Sequence, residues 1–597
     1  MRLSDALAAA RPGKPRQKTH SCLTTRWGKQ IDPEHVLEEY PRPQLRRKEW
    51  ICLNGTWQYT ITRTGRHPRH VDGDILVPFS PETRLSGVNR QLKPGEHLWY
   101  QRSVLLPECP QGKRLILHFG AVDQNCTVWW NGHHVGRNEN GYLPFSMDVT
   151  DYINTGKNIL RVRVRDDTDE NRRSRGKQSL KPGGMFYSAQ SGIWQTVWME
   201  WVPENYLKSL RITPCFDQRT VRLELTVVRP VDMEIGLLWE GDLFTRCVRA
   251  REFAEGSCQY TAELILPGFR SWSPEDPFLY KLRIRTGEDL TESYFAMRKF
   301  SVGMDEKRHP RLFLNDRPYF FNGILDQGYW PESLYTAPSD EAMAADIRNM
   351  KALGFNTIRK HVKIEPLRWY YHCDRLGMIV WQDMVNGGGK NHLLLTCYLP
   401  NALPLITEHV RDNCHYLLFG RKSAEDRIQW EKECQKTIEA LYNCPCIALW
   451  TIFNEGWGQF DALRIEKQIR EMDSTRLIDH ASGWFDQGGG DVKSVHNYFR
   501  TLKVKNDRRP FVISEYGGYS CTVQGHAYSN IPYGYRKYSS KEEFTAAFKE
   551  LRQTIFRLQE KGLSGAIYTQ ISDVEEETNG LYTWDREVCK VNTDGGS

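Results

Sequence analysis

Glu455 and Glu515 lie sixty residues apart, and each follows an apolar run. The two runs are Ile447-Ala-Leu-Trp-Thr-Ile-Phe-Asn454-Glu455-Gly456 and Phe511-Val-Ile-Ser-Glu515-Tyr516-Gly517. A buried strand that ends in a carboxylate and a glycine-containing turn delivers that side chain to the C-terminal rim of a parallel barrel, where such folds place their chemistry. Two carboxylates held there can cleave a glycosidic bond, one as proton donor and the other as nucleophile or base. Alone, either glutamate reads as the opening of a helix or of a solvated loop. Together, and with the elements around them, they read as a pair.

For the pair to meet, strands and helices must alternate through the second half of the chain, and after Gly303 they do. Strand candidates lie at 319–325, 356–361, 378–383, 447–454, 476–480, 492–496, 511–514 and 565–570. Helical stretches lie between several of them, at 340–353, 366–376, 425–442, 461–473 and 541–561. Eight strands over about 290 residues is the count and size of a (β/α)8 TIM barrel. On that count Glu455 ends the fourth strand and Glu515 the seventh. No GxGxxG turn supports a doubly wound sheet instead.

Upstream the texture is all-β. Residues 1–45 are rich in Lys, Arg and Pro and read as an arm over the first domain. Residues 46–203 carry short alternating strands such as Arg161-Val-Arg-Val-Arg165, and Asn131-Gly132 is a hairpin signal, which together suggest a two-sheet jelly roll. Residues 204–302 continue with short strands, including 221–227 and 279–285, over a length that suits an immunoglobulin-like sandwich. No Cys–Trp–Cys spacing is present, so only that architecture is expected. Residues 303–597 complete the chain as the catalytic barrel.

A chain of 597 residues exceeds one hydrophobic core. Lys plus Arg is 81 against 74 Asp plus Glu, with no basic block, which argues against a nucleic-acid partner. The 19 Trp and 27 Tyr serve cores and can also stack on sugar faces. Fifteen cysteines, odd in number and without CxxC pairs, read as reduced thiols of a cytoplasmic protein. The N-terminus turns polar at Arg11, too soon for a signal peptide, and no run of eighteen apolar residues suggests a membrane span.

The residues resemble glycoside hydrolase family 2, the β-galactosidase, β-glucuronidase and β-mannosidase group. The likeness rests on Asn454-Glu455 and Glu515, with Leu53-Asn-Gly-Thr-Trp57, Gly192-Ile-Trp-Gln195, the 272–280 segment Trp-Ser-Pro-Glu-Asp-Pro-Phe-Leu-Tyr and Phe355-Asn-Thr-Ile-Arg359 in family order over some 500 residues. The resemblance implies a retaining exo-β-glycosidase, β-galactosidase-like, with Glu455 as general acid/base and Glu515 as nucleophile. It also implies that Asn454 holds the sugar 2-hydroxyl, that Tyr498 hydrogen-bonds the nucleophile, and that the chain can self-associate. Two carboxyl groups roughly 5–5.5 Å apart cannot both ionise easily, which would keep one of them, Glu455, as an acid.

Around this pair the reading leaves alternatives open. Arg359 and His361 resemble the family's Arg-x-x-His segment with one residue fewer, so His361 is either a substrate contact or a packed rim histidine. Asp326 and Asp383 end strands one and three, where a charge needs a partner: substrate hydroxyls or a salt bridge with Arg359. Trp381 and Trp484 either stack on sugar or pack the barrel. Gln570 closes strand eight, and Thr569 stands where many family members carry a pocket tryptophan. An acidic stretch at 573–580, read as a pocket border, and the lack of an Asn-x-Lys segment of the kind seen in glucuronidases favour a neutral terminal sugar on an oligosaccharide or glycoside. The alternatives are a furanoside or pentoside substrate (galactofuranose, arabinose, xylose) and a non-catalytic carbohydrate-binding barrel. No cofactor is required; Mg²⁺ or Na⁺ occurs in some relatives, but no ligand set assembles from the sequence.

Overall fold

The computed structural model describes residues 23–239, 242–244, 251–252, 258–389, 396, 400, 407, 410–529 and 532–592. Of the expected arm, residues 1–22 lie outside the described residues. The rest of it touches the barrel as well as the first sandwich: Thr25 N donates to Glu332 at 3.3 Å, and Arg42 pairs with Glu200 at 2.9 Å.

The first sandwich faces a six-stranded sheet against a four-stranded one. In the larger sheet Gly156–Arg165 alternates buried and more exposed residues between His97–Leu106 and Asn125–Trp130, as the alternating Arg-Val pattern requires. Asn131 and Gly132 both take positive φ, 49° and 86°, and turn Asn125–Trp130 into His133–Asn138. Trp57, Trp130, Leu98 and Val162 fill the space between the sheets. The second sandwich pairs two four-stranded antiparallel sheets around Leu223, Leu225, Ile235, Leu282 and Ile284.

The third unit is a barrel of eight parallel strands. We label them β1 (Phe321–Asp326), β2 (Thr357–Lys360), β3 (Ile379–Asp383), β4 (Ile447–Thr451), β5 (Leu477–Asp479), β6 (Lys493–Asn497), β7 (Phe511–Gly517) and β8 (Leu563–Thr569). Their order is β5-β4-β3-β2-β1-β8-β7-β6. The seam between β5 and β6 is bridged at Asp491, which donates its N–H to Ile478 O and accepts from Ile478 N through its carboxylate, each at 2.8 Å, and Ser482 Oγ meets Ser494 Oγ at 3.3 Å. Strands with both faces covered become unbroken apolar runs, and every residue of β3, β4 and β7 is buried.

Helices α1 (Asp340–Ala352), α2 (Leu367–Leu376), α3 (Ala424–Leu441), α4 (Ala462–Met472) and α5 (Lys541–Gln559) pack outside. Ser339, Ser423 and Ser540 cap α1, α3 and α5 by accepting from Ala342 N, Asp426 N and Glu543 N, and two acidic residues sit in each first turn. After α2 the chain turns at Gly377 (φ +72°), where a Cβ would lie 2.5 Å from Pro274 O of the second sandwich. Only glycine lets the barrel close against that neighbour. None of the described helices is long and apolar enough to cross a membrane, and the cysteines among the described residues are unbridged.

Candidate active site

Both glutamates reach the same rim. Beyond β4 the chain is held to the segment after β5: Ser482 N donates to Phe453 O and Glu455 N donates to Ser482 O, at 2.8 and 3.0 Å. Glu455 itself takes φ +52°, a conformation that costs a non-glycine residue about 1–2 kcal/mol. Gly456 follows at φ +72°, where any side chain would run into the Phe485 ring at 2.6 Å. On the other side, the register of β7 slips against β6 between Val495 and His496 and against β8 between Ile513 and Tyr516. Such bulges re-aim side chains beside active sites. Ser514 and Glu515, though consecutive, both contribute to the site.

One oxygen of each carboxylate lies within 4.8 Å of the other, and His496 stands between them. Its Nδ1 is 2.8 Å from Glu455 Oε1, and its Nε2 is 3.1 Å from Ser482 Oγ and 3.5 Å from Glu515 Oε1. Trp484 meets the imidazole edge-on at 5.3 Å and donates its indole N–H to Thr396 O at 2.7 Å, so it walls the histidine. Glu455 and Glu515 are 8% and 5% exposed.

Arg359 is the hub. Fully buried, its guanidinium grips Asp383 through Nε (2.9 Å) and Nη2 (3.0 Å), Asn454 Oδ1 (2.8 Å) and Glu515 Oε1 (3.1 Å). Tyr498 donates its hydroxyl to the second oxygen of Glu515 and lies 3.1 Å from Thr569 Oγ1. Burial alone would push the Glu515 carboxyl up. His496, Arg359, His361 and Lys177 outweigh it and hold the group down at about 2. Asp383 is likewise held at about 2, by Arg359 and His361 against burial. Burial and the Lys177 charge lower His361 to about 4, so near neutral pH it is an uncharged ring whose Nδ1 sits 2.8 Å from Asp383.

Asp326 belongs elsewhere. Successive residues of a strand face opposite sides. Arg359 therefore points into the barrel while Lys360 points out, and Lys360 takes Asp326 together with Glu365. Of the two aspartates, Asp383 alone partners Arg359. Gln570 is also internal, donating to Glu577 at 3.1 Å and Asn579 at 2.7 Å. Trp381 is fully buried against Phe321 and is packing. The acidic stretch is largely committed: Asp573 pairs with Lys590, Glu575 and Glu576 accept from Ser188 N and Gly184 N at 2.9 Å, and Glu577 receives the Tyr187 hydroxyl.

Two site residues escape a reading of the sequence. His496 is overshadowed by Tyr498, two positions on, although a histidine ending a barrel strand beside a carboxylate is a signal. Lys177 arrives from the first sandwich, and nothing local announces it. Among the described residues, Glu455, His496 and Glu515 are the only acid, histidine or cysteine group whose ligand atoms converge as a metal site would need. Those atoms already face one another, Arg359 and Tyr498.

The Arg359–Asp383 pair yields a first prediction. Removing one member of a buried, hydrogen-bonded ion pair leaves an uncompensated charge, at a cost of about 3–5 kcal/mol. Asp383→Ala should lose that much in chemical denaturation of the full chain, and Asp383→Asn less. A loss below about 1 kcal/mol would show that Glu515 and Asn454 suffice for Arg359.

A parallel barrel with a linked carboxylate pair on its rim, behind two β-sandwiches, defines the class of protein. Residues 82–196 match the family model described as the glycosyl hydrolase 2 galactose-binding domain-like domain, and residues 306–589 match the glycosyl hydrolases family 2 TIM barrel domain. The chain belongs to glycosyl hydrolase family 2. It is 24% identical over 400 residues to the β-galactosidase large subunit of Leuconostoc lactis, covering 65% of this chain and 58% of that one. To a putative β-glucuronidase of Formosa agariphila it is 22% identical over 435 residues, covering 70% and 37%. It spans about half the length of the curated relatives it matches. The solved β-D-glucuronidase of Dictyoglomus thermophilum shares the fold, with a TM-score of 0.69 at 17% identity, covering 92% of this chain and 96% of that one.

Proposed function

We propose that the chain is a retaining exo-β-glycosidase working by double displacement, with Glu515 as nucleophile and Glu455 as general acid/base. The observation that carries this reading is the spacing of the pair: oxygens within 4.8 Å leave no room for the water that an inverting enzyme places between its carboxyl groups. Electrostatics support the assignment. Arg359 and Tyr498 keep Glu515 ionised and aimed, as an attacking group requires, whereas Glu455 lies 2.8 Å from the His496 imidazole.

In the first step Glu515 attacks the anomeric carbon while Glu455 protonates the departing oxygen. In the second, Glu455 takes a proton from water, which displaces Glu515 from the same carbon. Asn454, held by Arg359, is placed to meet the sugar 2-hydroxyl. The scheme needs no cofactor.

An acidic pocket border would favour a neutral sugar, but most of those carboxylates are spent on the first sandwich and on Lys590. The test is a panel of 4-nitrophenyl glycosides (galacto, gluco, manno, xylo, their uronides, galactofuranoside and arabinosides), followed by proton NMR of the first-formed product. The sugar should first appear in the anomeric configuration of the substrate. The opposite anomer first, or silence across the panel, would sink the reading.

A further inference from the structure

Four lysines are buried among the described residues: Lys177, Lys360, Lys363 and Lys590. Three are matched. Lys360 holds Asp326 and Glu365, Lys363 holds Glu365 with two backbone carbonyls, and Lys590 holds Asp573. Lys177 is 7% exposed, and among the described residues its ammonium makes no ion pair or hydrogen bond; it lies 5.6 and 5.9 Å from the ring centroids of Tyr187 and Trp457. An ammonium on a residue this buried, with no anionic partner within hydrogen-bond reach, is poorly compensated, because aromatic faces return only about 1–2 kcal/mol.

The loop that carries Lys177 is clamped. Arg175 N and Gly176 N both donate to Asn386 O, at 3.0 and 3.1 Å, and the Arg175 guanidinium reaches Gly388 O at 2.7 Å. Gln178 is tied to Asp123 and Tyr142, each at 2.9 Å. A Cβ at Gly176 would meet Tyr335 Oη and Val362 O at 2.9 Å. The ammonium is therefore presented rather than left to wander. The two rings it lies against fix its position: Trp457 is two residues beyond Glu455, and Tyr187 gives its hydroxyl to Glu577, so the ammonium stands on the side of the rim that holds the glutamate pair, and its charge acts on Glu515, His361 and Glu577.

We propose that Lys177, supplied by the first sandwich, anchors a carboxylate on the terminal sugar, so that β-uronides are preferred over the matching neutral glycosides. The inference rests on the glycosidase reading of the same site. A hydroxyl would return little of what burying the ammonium costs; an ionised oxygen in a charge-assisted hydrogen bond returns far more. The aromatic walls exclude water and strengthen that pairing.

The experiment compares kcat/KM for 4-nitrophenyl β-D-glucuronide and β-D-galacturonide with the corresponding glucoside and galactoside, in wild type, Lys177→Met and Lys177→Arg. Methionine keeps the stem over Trp457 and Tyr187 and removes the charge. Wild type should favour one uronide over its neutral counterpart by more than tenfold. That ratio should fall about 100-fold in Lys177→Met and recover in part in Lys177→Arg. A wild-type preference for the neutral sugar, or a ratio unmoved by Lys177→Met, overturns the proposal. Calorimetric binding of free glucuronate and galacturonate against glucose and galactose separates the two readings. Uronate binding that Lys177→Met abolishes, without turnover of any glycoside, would sustain the anchor while the glycosidase reading fell. No uronate selectivity in binding would overturn the anchor whatever the catalysis.

Discussion

Glu515→Ala should cut kcat on every accepted aryl glycoside by on the order of 10⁵-fold, the scale seen when a covalent nucleophile is deleted. The neighbourhood explains why so little would remain. Arg359 and Tyr498 each give this carboxylate one hydrogen bond, on opposite oxygens, and alanine puts no nucleophile in its place. Deletion also leaves a space the size of a small anion beside two donors. Added azide should occupy it, attack the anomeric carbon and expel the nitrophenolate, giving the α-glycosyl azide from a β-substrate. Glu515→Gln keeps the packing and serves as the folding control. A residual rate above a tenth of wild type, or azide without effect on rate and product, would show that the nucleophile is elsewhere.

Much of this site is legible before the fold is known, for a physical reason. Parallel barrel strands are buried on both faces, so they stand out as apolar runs, and a carboxylate at the end of such a run carries a desolvation cost that only a partner or a task offsets. All eight strands lie within the expected segments to within about two residues, except that β4 ends three residues earlier and β7 runs three further. Glu455, Glu515, Asn454, Arg359 and Tyr498 converge.

The features that stay hidden depend on direction and on distance. Arg359 and Lys360 are consecutive cations, and only the pleat decides that Arg359 meets Glu515 while Lys360 turns outward to claim Asp326. The bulge at Ser514 and Glu515 leaves no mark in composition. Lys177 lies 338 positions before Glu515, and its ammonium reaches Trp457, two residues beyond Glu455, only because the loop around Arg175 docks on Asn386 and Gly388. The acidic stretch reads as a border because its hydrogen-bond partners, Gly184 and Ser188, are contributed by another domain.

The second large effect is expected from Glu455→Ala, and its form matters more than its size. An acid that protonates the leaving oxygen is dispensable when that oxygen departs as a stable anion. With 2,4-dinitrophenyl substrates the first step should survive within about tenfold, whereas substrates with poor leaving groups such as sugars should lose about 10³-fold, in the range of general acid–base catalysis. The second step needs the same residue as base whatever the leaving group, so dinitrophenyl substrates should show a burst of phenolate and then slow turnover. Azide again separates the roles. It needs no deprotonation and attacks the glycosyl–Glu515 ester, so it should speed turnover and give the β-glycosyl azide, opposite in configuration to the Glu515→Ala product. His496 bears on the outcome, because its Nδ1 lies 2.8 Å from Glu455 and loses that partner in the variant. If the imidazole took over as proton donor, the dependence on leaving group would flatten. Equal losses on good and poor leaving groups, with no burst, would assign the proton to His496 and leave Glu455 to position it.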